Sequence, residues 1–89
     1  MCGMPVVSHF FGIVIRMYFY DHAPPHFHAS YRDAEAIVRI DPVGLLAGDL
    51  PPRSLALVVE WARLRKVQLL ENWRRLHCDE PAQPIVRLE

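Results

Sequence analysis

The sequence predicts an α+β fold, with a small antiparallel sheet of three to four strands packed against one long or kinked C-terminal helix. Three observations predict it. Residues 10–40 fall into short runs rich in β-branched and aromatic side chains, separated by turn-forming residues. Leu50-Pro51-Pro52 then opens a stretch whose apolar residues recur at three- and four-residue spacing. Finally, 89 residues leave room for one small core, so residues 4–89 read as a single domain.

Phe10 to Phe19 is almost continuously apolar and too β-prone for a stable helix, so it reads as a central strand. Alternation puts Phe11, Ile13, Ile15, Met17 and Phe19 on a core face, and Phe10, Gly12, Val14, Arg16 and Tyr18 on the other. Arg16 is expected to lay its stem across the sheet and carry its charge to the edge. Asp21 to Pro25 is a turn by composition, because Pro24 and Pro25 fix φ and push Ala23 towards extended backbone. Strands follow at 26–31 and 34–40, joined tightly through Arg32-Asp33, to make a meander. Asp41 to Asp49 reads as a loop with a short edge strand at Val43 to Ala47.

The helical half covers about 52–77, with proline in its first turn, where a missing N–H costs nothing. Leu55, Val59, Ala62, Lys66, Leu69, Trp73 and Leu76 form its amphipathic stripe. Unbroken, it would run about 37 Å, against a radius of gyration of about 12 Å for a domain of this length. A bend near Arg65-Lys66, or packing of the far half on a partner, resolves the mismatch. Ile85 to Leu88 alternates as a short strand for the sheet edge.

Composition excludes several classes. At 52% hydrophobic and 22% charged, the chain is not disordered, and its apolar content exceeds what one small core hides, so an oligomer or partner is expected. A formal net charge of zero argues against strong non-specific nucleic-acid binding, although residues 51–89 carry seven bases against five acids. Cys2 and Cys78 make neither a disulfide framework nor a zinc knuckle, and no apolar run reaches the roughly 18 residues that span a bilayer. The cytoplasm is the expected location, and no membrane partner is expected.

Chemistry concentrates in Tyr20 to Tyr31, which holds three of the five histidines. His26 and His28 are two apart and share a strand face, an arrangement that offers two imidazoles to one metal ion. His22 and Asp21 on the preceding turn could add a nitrogen and an oxygen, and His9, His77 and Glu35 are the distant candidates for a further ligand. A second reading needs no cofactor and no metal: His26 or His28 as acid and base, Arg16 or Arg39 as phosphate clamp, and Tyr18, Tyr20 and Tyr31 stacking bases would suit RNA cleavage. In a third, the histidines brace a turn that serves only structure or protein docking. Trp61 and Trp73 are core residues or anchors of a homodimer through their helix face.

The run Phe10 to Tyr18, with Asp21-His22, Pro24-Pro25-His26-Phe27-His28-Ala29 and Tyr31, resembles the opening of a family of small bacterial proteins known only as a domain of unknown function. Leu50-Pro51, Leu55, Leu57-Val58, Glu60-Trp61 and Leu69-Leu70-Glu71-Asn72-Trp73 resemble its helical half, so the likeness spans roughly Met4 to Trp73. The resemblance implies a component of a toxin–antitoxin-like module with a protein partner encoded nearby, and implies no catalytic residues. Two departures mark this chain. Cys2 and Gly3 precede the Met4-Pro5 where similar proteins usually begin, which suggests an upstream start codon or an appended remnant, and Val67-Gln68 stands where acidic residues are common.

Overall fold

The computed structural model describes residues 5–89; the features expected at Cys2 and Gly3 lie outside the described residues. Five strands form one antiparallel meander in the order β1-β2-β3-β4-β5, namely Val6–Phe10, Ile13–Arg16, His26–Tyr31, Ala34–Ile40 and Val43–Gly48. Two helices follow, α1 at Pro52–Leu64 and α2 at Lys66–Leu76. The α+β class is as the sequence predicts, but the sheet has five strands rather than three or four.

The extra strand comes from the first apolar run, which is a hairpin and not one strand. Phe11 and Gly12 both take left-handed backbone (φ 50° and 79°) and turn β1 into β2. A two-residue turn with both φ values positive matches the right-handed twist of the strands it joins. Phenylalanine in that role hides the turn from composition. The turn also resets the alternation, so Phe10 is buried and Phe11 is exposed, whereas Ile13, Ile15 and Met17 take the predicted core positions. The expected edge strand at Val43 to Ala47 forms as β5.

Ile13, Ile15, Phe27, Ala29, Ala36, Val38 and Ile40 make the sheet face under the helices and are fully buried. Burying each larger one contributes roughly 1.5–3 kcal/mol. The cross-strand row Ile15, Ala29, Ala36 places two small residues side by side, where helical side chains can approach the sheet. The opposite face carries Val14, Arg16, His28, Ser30, Ile37 and Arg39, all half-buried.

The helix is two helices, broken at Arg65 (φ −110°, ψ 22°) with no proline or glycine at the break. Its buried residues are Ser54, Val58, Trp61 and Ala62 in α1 and Leu69, Asn72 and Leu76 in α2, so the stripe runs through Val58 and Asn72 rather than through Val59, Lys66 and Trp73. Both halves reach the same core, and the molecule is 34 Å along its longest axis, shorter than the roughly 37 Å an unbroken helix would span. No helix among the described residues is long and apolar enough to cross a membrane.

Trp61 is fully buried and takes the core role of the two expected for it, its ring packed against Phe10 and Phe27. Its indole N–H donates to the Val86 carbonyl at 2.8 Å. Buried Asn72 pairs with the backbone of Gln83 in both directions at 2.8 Å, and Ile85 N–H reaches the Val7 carbonyl at 2.7 Å. These bonds strap the last residues across the core. The segment 85–88 is not the expected edge strand: Ile85 and Leu88, three apart, are both buried, a spacing that alternation cannot produce.

Replacing the buried Asn72 with alanine removes two hydrogen bonds to the backbone of the exposed Gln83, which costs about 1–2 kcal/mol. Urea denaturation should show a lower midpoint with an unchanged slope. A loss below about 0.5 kcal/mol would mean that the strap contributes little to the fold.

Candidate functional site

The site forms where β3 starts, because the loop from Tyr18 to Pro25 folds back over that end of the sheet. Three anchors hold it: Met17 N–H donates to the Pro5 carbonyl, Tyr20 N–H to the Leu76 carbonyl at 3.4 Å, and Ile40 N–H to the Pro25 carbonyl at 3.0 Å. The Ala23–Pro24 peptide is cis. The loop so held delivers Asp21 to the two strand histidines. Asp21 Oδ2 lies 2.9 Å from His26 Nε2 and 3.1 Å from His28 Nε2. These three residues offer ligand atoms that all lie within 4.8 Å of one another.

The outer ring nitrogens face acceptors as well. His26 Nδ1–H donates to the Pro24 carbonyl at 2.7 Å, and His28 Nδ1 lies 3.4 Å from Glu35 Oε2. A nitrogen facing a carbonyl has to carry its proton, and so has one facing an ionised carboxylate. With its Nδ1–H given to the Pro24 carbonyl, the neutral His26 ring turns the lone pair of Nε2 towards Asp21 Oδ2. Burial pushes the Asp21 carboxyl up, but the hydrogen bond from His28, the His22 backbone N–H at 2.9 Å and the nearby charges of His26 and His28 outweigh it, leaving Asp21 below its ordinary range.

His77 supports the same residue from behind. Its ring nitrogens lie 2.8 Å from the Trp73 carbonyl and 2.9 Å from the Asp21 carbonyl, bridging the end of α2 to the loop. Trp73 stacks at a tilt on both His26 and His77, with centroids 5.2 and 4.5 Å away, and covers the cluster on its helix side. The His26, His28 and Asp21 side chains keep 9%, 16% and 20% of their surface exposed, so the cluster is partly accessible to solvent.

The remaining residues singled out in the sequence divide. Tyr18 packs edge-on against His28 at 4.5 Å, and Arg16 sits directly across from His28 on β2, its Nη1 donating to Ser30 Oγ at 3.3 Å. His22 is exposed and contributes its backbone N–H rather than a third imidazole nitrogen. Tyr20 is exposed and donates its hydroxyl to Asp79, which pushes the phenol up. Tyr31 ends β3, five positions from His26, and carries Arg32 over its ring at 5.2 Å. Arg39, in register with His26, turns its Nε to the Pro42 carbonyl at 2.9 Å. Of the distant candidates, Glu35 and His77 reach the site, whereas His9 lies on β1, paired with Val14. Trp73 is the neighbour that sequence reasoning missed, since helical spacing gives an aromatic no sign of what it covers.

Chemically, both nitrogens of His26 and the Nε2 of His28 are hydrogen-bonded, whereas His28 Nδ1 stands 3.4 Å from the largely exposed Glu35 carboxylate without a hydrogen bond to it. Placing a metal ion between Asp21 Oδ2 and the two Nε2 atoms leaves each Nδ1–H aimed at an oxygen that fixes its tautomer, as metal-bound histidines require. Ligand atoms around an ion with bonds of about 2.0–2.1 Å stand about 2.9–3.4 Å apart, close to the two separations seen here.

The family model described as "Domain of unknown function (DUF4160)" matches residues 12–74, and the chain belongs to that family. That span includes Asp21, both strand histidines, Glu35 and Trp73, and stops short of His77. No curated protein and no solved structure matches the chain.

Because the Asp21 carboxyl is held low, its contribution to stability is fully present above the ordinary carboxylate value of about 3.9 and is lost as pH falls through the lower folded value. The stability gap between wild type and Asp21→Asn, measured by urea denaturation, should narrow as pH drops from about 5 towards 3. A gap constant across that range would mean that Asp21 gains nothing from its histidines.

Proposed function

We propose that this member of the DUF4160 family is a metal-binding protein whose centre is Asp21, His26 and His28. The observation that carries the reading is convergence: two Nε2 atoms meet one carboxylate oxygen, and the ligand atoms of the three residues all lie within 4.8 Å of one another. A divalent ion satisfies all of these groups at once. Two imidazoles and one carboxylate suit zinc, iron, cobalt or nickel better than calcium or magnesium. Three protein ligands leave coordination positions open, so the bound ion would hold and polarise an oxygen ligand from solution. The acid–base reading for RNA cleavage has less support at His26, whose two ring nitrogens are taken by the Pro24 carbonyl and Asp21.

A second reading concerns partners and rests on the outer face of α1. Leu55, Ala56, Val59, Glu60, Arg63 and Leu64 line a groove of about 770 Å³, with Leu64 61% exposed. The face is apolar and carries one acid and one base three residues apart. A second copy packed antiparallel about a two-fold axis would set Glu60 against the partner's Arg63. The homodimer expected from composition then uses this face rather than that of Trp61. A nearby-encoded partner of a toxin–antitoxin-like pair is the other occupant that the face suits.

Protein purified without a histidine tag, stripped by chelator and titrated with zinc in a calorimeter should bind one ion per chain and release protons. Asp21→Ala, His26→Ala and His28→Ala should each weaken binding at least tenfold, whereas His22→Ala should not. Binding unaffected by the three variants would refute the centre. For the second reading, light scattering at rising concentration should show a dimer that Leu64→Asp dissociates; a wild type that stays monomeric at 100 μM, roughly the weak end of specific association, would end it.

A further inference from the structure

We propose that Arg16 holds a phosphate group as the outside ligand of this centre. The inference rests on the metal reading above and names what fills the open coordination positions.

Position comes first. Arg16 and His28 are direct cross-strand partners on the uncovered face of the sheet, which sets their Cβ atoms about 4.5–5.5 Å apart on the same side. A guanidinium has a longer reach than that gap. Tyr18 packs edge-on against His28 on the same side of the cluster.

Partnering comes second. Arg74 and Arg75 are tied to Glu71 and Glu80, and Arg39 to the Pro42 carbonyl. Arg16 is half-buried, yet its one side-chain hydrogen bond among the described residues goes to the neutral Ser30 hydroxyl at 3.3 Å. Most of its five N–H donors are left for another acceptor, and their planar fork fits two oxygens of one phosphate.

Charge and shape agree. Asp21 neutralises one charge of a divalent ion, and Glu35, 3.4 Å from His28, offsets the other. Arg16 then leaves the locus positive by one, which favours an anion over a neutral ligand. The ligand side chains keep 9–20% of their surface exposed, and the 770 Å³ groove lies on α1, away from the cluster. A compact tetrahedral oxyanion at the end of a larger molecule suits such a site better than an engulfed small molecule.

The test uses the full chain loaded with cobalt(II), whose visible absorption reports the ligands on the ion. Inorganic phosphate should shift the spectrum saturably, with affinity at least tenfold weaker in Arg16→Met and intermediate in Arg16→Lys, while all three proteins bind cobalt equally. Dimethyl phosphate run in parallel separates sources: a response to both probes supports phosphodiester recognition, and a response to inorganic phosphate alone supports a phosphate monoester. Cobalt binding with no phosphate response, or with equal response in Arg16→Met, overturns the inference and leaves the metal reading standing. Failure of wild type to bind cobalt removes both.

Discussion

The site hangs on the Asp21 carboxylate. One oxygen receives His26 and His28, the other receives the His22 N–H, and the backbone carbonyl of the same residue meets His77. A single residue thereby ties together the turn, the start of β3 and the end of α2, elements separated by up to 56 positions in the chain. Partly buried polar groups have to find partners, and here the partners are shared so tightly that moving Asp21 would unsettle all three elements.

The rest of the fold serves that convergence. The five-stranded meander supplies a stiff platform on which the parity of β3 points His28 to the uncovered face and Phe27 into the core. The break at Arg65 lets α2 swing Trp73 and His77 over the end of the sheet, where a straight helix would have carried them past it. The C-terminal strap then locks α1 and α2 through Trp61 and Asn72, fixing the angle between them. Stability and site geometry are coupled through these few bonds.

In the proposed metal-bound form, an ion would take the space between Asp21 and the two imidazoles. Without it, the hydrogen bond from His28 and the His22 N–H help to hold the Asp21 carboxyl below its ordinary range. An ion in the same position would satisfy the same atoms while leaving the outer hydrogen bonds of the imidazoles intact.

The sequence by itself determined the fold class, the strands at β3 and β4, the Arg32-Asp33 turn and the density of ligating groups between Tyr20 and Tyr31. These follow from period-two alternation, proline and glycine punctuation and simple proximity along the chain, all of which are local. The hairpin at Phe11-Gly12 was not legible, because a phenylalanine forced into left-handed backbone leaves no compositional trace. Nor was the strap at 85–88, whose course is set by Asn72 and Trp61 from the far side of the core. The pairing of His26 and His28 could be read from their spacing, but tertiary structure alone decided that Asp21 and not His22 completes the set, that Glu35 and His77 back it, and that Trp73 covers it. Those choices depend on how a turn folds back over a sheet end and where a helix breaks. Both are settled by the shape of one small shared core, which no local pattern in the chain encodes.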